Sequence, residues 1–264
     1  MNIKKIKLIY FSPTNTTKKT LVGITQGLQC NHVEHLDLTS PSAATCEFEQ
    51  LQSDELAIIG MPVYSGRLPT IAVERLKRLK AEKTPAVVVV VYGNRAYDDA
   101  LLELKDLASE VGFVPIAGGA FIGEHSFSND ETPIAVGRPD MEDLAKAKAF
   151  GRNISEKLLQ LNQSEQSPLL EVPGAFPYKP LKSLLEAPTT NEDDCTQCKL
   201  CITVCPTAAI EFNGSIITNQ DACIKCCACV KICPTNARVM TPQINQIAER
   251  LSTNCTERRE PEFY

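Results

Sequence analysis

A chain of 264 residues, 43% hydrophobic and 6% aromatic, is long enough for one large domain or two modest ones built around a packed core. A formal net charge of −5 argues against nucleic acid as a partner, because neutralising phosphate demands a basic face. No apolar run reaches the roughly eighteen residues of a membrane helix, and the opening "MNIKKIKLIYFS" enters a strand pattern with no cleavage site, so a cytoplasmic protein away from the membrane is expected.

The first 160 or so residues alternate apolar runs with amphipathic segments, the pattern of a parallel sheet covered by helices on both faces. A strand over Ile6–Phe11 leads through the hydroxyl-rich loop "FSPTNTTKKT" into a helix over Thr16–Leu28. The alternating "HVEHLDL" predicts an edge strand over Val33–Leu38, and Ala43–Leu51 is the next helix candidate. A strand over Leu56–Met61, the loop "MPVYSGRLP" and a helix over Thr70–Leu79 follow. "AVVVVV" carries no polar alternation, so the strand over Ala86–Tyr92 belongs at the sheet centre, buried on both faces. The loop "YGNRAYDD", a helix over Asp98–Val111, a strand over Phe113–Phe121, a long loop over Gly118–Asp140 and a helix over Met141–Leu161 complete the series. Five strands in βαβ succession predict a doubly wound α/β fold of order 2-1-3-4-5, with its ligand crevice at the carboxyl ends of the strands. Residues 163–190 hold prolines and few periodic apolar positions, and read as a linker lying against its neighbours through Phe176 and Tyr178. Residues 191–240 form a cysteine region. Residues 241–264 form a closing helix, "PQINQIAERLS", and a tail.

Nine of the twelve cysteines lie between Cys195 and Cys233, and in a reducing compartment such a cluster means metal or redox chemistry rather than disulfides. Cys195, Cys198, Cys201 and Cys205 are spaced C-x2-C-x2-C-x3-C-P, and the spacing returns at Cys223, Cys226, Cys229 and Cys233, each twenty-eight residues later. Thiolates suit iron–sulfur clusters or zinc. Paired structural zinc sites use two C-x2-C hairpins and have no need of the third cysteine or the C-P ending. The pattern resembles the bacterial two-cluster ferredoxin, a small α+β domain. That resemblance implies one [4Fe-4S] cluster on Cys195, Cys198, Cys201 and Cys233, and another on Cys223, Cys226, Cys229 and Cys205. Cys227, whose repeat partner is Lys199, reads as a small buried or loop thiol, with a ligand swap as the alternative. Cys30, Cys46 and Cys255 read as reduced thiols without a role.

Ser12, Thr14, Thr16 and Thr17 place hydroxyls and amides at a helix start, which makes either a phosphate cradle or plain N-capping. No P-loop lysine and no G-x-G-x-x-G follows, which disfavours nucleoside triphosphates and dinucleotides. The loop resembles the flavodoxin phosphate loop, with Ser12, Thr14 and Thr17 in register and Asn15 where that family usually has glycine. Asparagine is the best substitute in a left-handed conformation. The resemblance implies that Pro62, Val63, Tyr64, Ser65 and Gly66 flank one side of an FMN ring. It implies likewise that Tyr92, Gly93, Asn94, Arg95, Tyr97 and Asp98 flank the other, with Tyr97 the stacking residue of Gly93-x3-Tyr97.

Nearly the whole chain is thus similar to the fusion family of anaerobic bacteria and archaea in which a flavodoxin-like domain, here residues 1–162, precedes a two-cluster ferredoxin. The resemblance implies electron transfer between FMN, the clusters and redox-protein partners of ferredoxin, flavodoxin or reductase type. Arg95 is either a stabiliser of reduced flavin or a solvated loop charge, and His125 either a crevice contact or a surface histidine; His32 and His35 read as structural. A flavin-dependent oxidoreductase that reduces a small substrate with electrons fed through the clusters stays open, kept alive by the long Gly118–Asp140 loop. An interaction protein stapled by clusters is the non-redox alternative.

Overall fold

The computed structural model describes residues 3–28, 30, 32–161, 169–181 and 186–264. The N-terminal half runs β1 (Lys5–Tyr10), α1 (Thr16–Thr25), β2 (Val33–Asp37), β3 (Glu55–Pro62), α2 (Thr70–Leu76), β4 (Thr84–Tyr92), α3 (Ala100–Val111), β5 (Phe113–Ile122) and α4 (Met141–Leu161). The C-terminal half adds β6 (Thr189–Thr190), α5 (Leu200–Thr203), β7 (Ile210–Asn213), β8 (Ser215–Thr218), α6 (Ala228–Lys231), β9 (Arg238–Val239), α7 (Pro242–Asn254) and β10 (Glu262–Phe263).

β1 to β5 pair in parallel in the order 2-1-3-4-5, and β10 adds antiparallel to the outer edge of β5. Every residue of β4 is buried, as expected of a central strand in a sheet covered on both faces. Period-two alternation then sorts the strands onto two cores. Ile9, Ile59, Val88 and Val90 face one side with Leu76 of α2 and Leu101 and Leu104 of α3. Leu8, Ile58, Val87 and Val89 face the other with Ile24 of α1 and Phe150 and Ile154 of α4. Each such fully buried side chain contributes about 1.5–3 kcal/mol, so a one-residue slip of β4 would exchange its two faces at large cost.

The region 43–51 is not a helix. A single 3-10 turn spans Pro41–Ala44, opened by Ser40, whose hydroxyl accepts from the Ser42 amide. Residues 44–47 are exposed and Leu51 instead bridges to Ala81. An apolar stripe too narrow to bury leaves that segment without the packing that sustains a helix.

The segment 169–181 lies along α3. Tyr178 donates its hydroxyl proton to Asp106 (2.7 Å), the Lys179 amide donates to Asp99 (2.7 Å), and Leu170 enters the first core. After the cysteine region, α7 buries Ile244, Ala248 and Leu251 against Phe127, Ile134 and Cys227. The tail then returns to the sheet. Phe263 stacks on Phe150 at 4.7 Å between centroids, and Tyr264 exchanges backbone hydrogen bonds with Gly118. Among the described residues, no helix is long and apolar enough to cross a membrane.

Candidate functional site

The loop between β1 and α1 is organised by Ser12. Its amide donates to the Thr39 hydroxyl (2.8 Å) and its Oγ accepts from the Lys18 amide (3.0 Å). Asn15 caps the helix with φ 64° and ψ −4°, the left-handed conformation that glycine or asparagine adopts most readily. The Thr16 and Thr17 amides then sit in the first turn, where no helical carbonyl can reach them. The Thr17 Oγ1 is buried and, among the described residues, has no hydrogen-bond partner. A buried hydroxyl beside free first-turn amides is the arrangement that a phosphate oxygen completes.

The next two crevice loops are locked to each other. Tyr64 and Arg67 exchange backbone hydrogen bonds (2.9 and 3.1 Å) around Ser65 and Gly66, both at positive φ, as in a type I′ turn. At Gly66 a Cβ would stand 2.0 Å from the Asp98 carboxylate. Asp98 in turn pairs with Arg95 and with Lys179 Nζ (2.7 Å), and these two cations hold its carboxyl below the usual range against the opposing effect of burial. Behind the turn, Arg67 makes a two-pronged contact with Glu103 (2.8 and 2.7 Å).

His125, in the loop after β5, presses on the Gly93 backbone so closely that a Cβ there would lie 2.2 Å from its ring. Its Nδ1 accepts from the Phe127 amide (3.0 Å). Burial, with Lys231 and Arg95 nearby, lowers its pKa to about 4, so at neutral pH the ring is uncharged and its remaining proton is on Nε2.

A cavity of about 640 Å³ collects these loops. Thr14, Thr16, Pro62, Val63, Tyr64, Ser65, Gly66, Tyr92, Gly93 and Arg95 line it. Ser12, Asn15, Thr17 and Asp98 are not among the lining residues. Asn94, at φ 60°, turns to the tail instead, donating to the Cys255 and Glu257 carbonyls (2.7 and 2.8 Å). Tyr97 also lies outside the lining: it is buried, and its hydroxyl bonds to Glu262 (2.9 Å) and Tyr264 (2.8 Å), which together with burial pushes it well above an ordinary phenol. Ile247, Arg250 and Leu251 of α7, Lys179, Ile224 and Lys225 line the same space without having been expected at it, and Cys223, expected only as a cluster ligand, lines it too. No local pattern marks them, since each reaches the crevice from a distant part of the chain.

The cysteine region keeps its repeat in the backbone as well. Gln197, Lys199 and Ala208 are left-handed, and so are Lys225, Cys227 and Asn236, each twenty-eight residues later. Such turns point amides at sulfur: Ala209 donates to Cys205 Sγ (3.2 Å) and Lys225 to Cys223 Sγ (3.4 Å). Cys195, Cys198, Cys201 and Cys233 line one small space together with Arg238. Cys205, Cys223, Cys226 and Cys229 form the other group: burial pushes the Cys226 thiol up, and Cys229, Cys223 and Cys205 beside it add to that. Cys233, of the second half of the repeat, thus sits with three cysteines of the first. Among the described residues, no three metal-ligating groups converge as they would around a single ion. Cys227, 1% exposed, points away into the contact with Phe127 and α7.

Two buried arginines tie this region down. Arg238 donates to the Pro188 carbonyl and to the Thr190 and Thr218 hydroxyls. Arg75 of α2 donates from Nη1 to the Leu38 and Thr39 carbonyls (2.7 and 2.8 Å) and from Nη2 to the Pro206 carbonyl (2.6 Å), next to Cys205. Lys231 adds an ion pair with Glu124 (2.6 Å).

The family model described as a 4Fe-4S binding domain matches residues 188–211 and 216–239. No curated protein matches the chain. Among solved structures, a flavodoxin from Streptococcus pneumoniae is 15% identical over 58% of this chain and 98% of its own, with a TM-score of 0.39. The Flv1 flavodiiron core from Synechocystis is 18% identical over 61% of this chain and 37% of its own, with a TM-score of 0.40. A Fusobacterium nucleatum flavodoxin bound to flavin mononucleotide is 14% identical over 61% and 98%, with a TM-score of 0.34. At these scores the strand order and directions define the fold, and 2-1-3-4-5 is the flavodoxin-like order. The chain joins a flavodoxin-like α/β fold to a C-terminal 4Fe-4S ferredoxin domain of small strands and short helices.

Proposed function

We propose that this chain is an iron–sulfur flavoprotein that passes electrons between two [4Fe-4S] clusters, an FMN and redox-protein partners. One observation carries the reading: a single cavity is lined both by the three crevice loops and by Cys223, Ile224 and Lys225 of the ferredoxin domain. The residues fit the flavin. Thr14, Thr16 and the first-turn amides of α1 would hold its phosphate, with the orphaned Thr17 hydroxyl beside them. Tyr64, Gly66, Gly93 and Arg95 would border its ring, and the uncharged His125 offers an Nε2–H donor rather than a cation. FMN supplies the exchange between two-electron and one-electron chemistry, while the protein sets distance and potential. Cys195, Cys198, Cys201 and Cys233 would hold one cluster, and Cys205, Cys223, Cys226 and Cys229 the other. Residues 1–162, 163–190, 191–240 and 241–264 would then be flavin domain, linker, ferredoxin domain and closing helix with tail.

Protein purified anaerobically is expected to carry about eight iron atoms and one FMN per chain. Zinc in place of iron, or no flavin retained after reconstitution, would defeat this reading. Lys179, Lys225 and Arg250 also line the cavity and favour a second use of the same site, reduction of a small anionic substrate at the flavin. Titration of the reduced protein with candidate anions, followed by flavin absorbance, separates the two: reoxidation only by redox proteins leaves the carrier.

A further inference from the structure

The two halves of the ferredoxin repeat match in spacing and in backbone, yet the fold treats them differently. In the first half, residues 196–200 are all exposed, Cys198 among them, and Leu200 is exposed as well. In the second half, Cys226, Cys227 and Cys229 are buried, and Cys223, Ile224 and Lys225 line the flavin-sized cavity. Tyr64 links the two domains at that point. It lies on the crevice turn and lines the cavity together with Cys223, Ile224 and Lys225. Arg75 of α2 fastens the first half from the flavodoxin-like side by donating to the carbonyl of Pro206, next to Cys205. The other group, around Cys195, Cys198, Cys201 and Cys233, has no residue in the cavity lining.

We propose that the two cluster sites have fixed and different places in the electron path. The Cys205–Cys223–Cys226–Cys229 site is the inner relay, facing the flavin across Tyr64 and Ile224, and the Cys195–Cys198–Cys201–Cys233 site is the outer port. Electron tunnelling falls off exponentially with the gap, so the site that shares a wall with the cavity is the one that exchanges with the flavin. The balance is simple. A reduced one-electron protein gives up one electron to the outer site and is oxidised by one unit, the electron moves to the inner site, and two such deliveries with proton uptake from solvent reduce the flavin by two electrons. The inference rests on flavin binding in the cavity.

The test uses the full anaerobic holoprotein. Iron release to a strong ferrous chelator is expected in two phases of about four atoms each, the fast phase missing in Cys198→Ala and the slow phase missing in Cys226→Ala. Emission of the bound flavin, quenched by the nearer cluster, is expected to rise several-fold in Cys226→Ala and to change little in Cys198→Ala. A reversed assignment of the release phases, or an equal rise in emission for both cysteine variants, would each overturn the order. Loss of flavin from the wild type would instead defeat the cofactor reading, and the release phases would still decide which site is the outer one.

Discussion

Arg75→Met tests the junction between the domains. Arg75 is 3% exposed, and its guanidinium holds three carbonyls, those of Leu38, Thr39 and Pro206. Hydrogen bonds to a charged group contribute about 1.5–3 kcal/mol each, so three amount to roughly 4.5–9 kcal/mol before costs. Against them stands the desolvation of a buried cation, worth several kcal/mol, which also draws the Arg75 pKa below its ordinary value. The Nε, buried without a partner among the described residues, adds to that cost. Methionine keeps much of the apolar stem but strands the three carbonyls, so a net loss of about 3 kcal/mol is expected. At about 2–4 °C per kcal/mol for chains of 150–250 residues, the thermal midpoint should fall by roughly 6–12 °C. Because the Pro206 carbonyl adjoins Cys205, transfer from clusters to flavin should slow as well. Calorimetry and anaerobic stopped-flow absorbance on the same preparation would measure both. An unchanged midpoint would show that the desolvation cost cancels the three bonds and that the arginine is not what holds the junction.

Four further outcomes are expected. Gly66→Val combines a β-branched residue at φ 83° with a Cβ that would lie 2.0 Å from Asp98, so flavin affinity, read by fluorescence titration, should fall at least about tenfold. Tyr97→Phe removes the bonds to Glu262 and Tyr264 and should cost about 1–2 kcal/mol in urea unfolding, with the bound-flavin spectrum unchanged because the ring lies outside the cavity lining. Asp143→Asn breaks the buried pair with Arg138, a guanidinium that also holds the Arg259 carbonyl of the tail, and should cost about 3–5 kcal/mol by the same assay. His125 has a folded pKa lowered from 6.5 to about 4, so its contribution is complete above pH 6.5 and is lost as pH falls through that interval, where the unfolded chain takes up the proton first. His125→Gln should flatten that part of the stability profile; an unchanged slope would remove histidine as its source.

The 4Fe-4S domain was legible in sequence because its cysteines come from two short loops whose spacing dictates their shape. The left-handed positions at Lys199 and Cys227 repeat with the cysteines for the same reason. β1, β3, β4 and β5 were legible because burial on both faces, seen most plainly in "AVVVVV", leaves an apolar run, and β2 because an edge strand alternates. The helix expected over Ala43–Leu51 was misread because amphipathic spacing says nothing about whether a surface exists to cover it. Other features required the assembled chain: β10 closing the sheet edge, Asn94 and Tyr97 turned to the tail, Arg75 reaching Pro206, and Cys223 to Lys225 facing the crevice. Local periodicity encodes elements and short-range ligand sets. Contacts between residues a hundred or more positions apart depend on how finished surfaces fit, and here that fit turns Cys223 to Lys225, but not their counterparts in the first half of the repeat, toward the crevice.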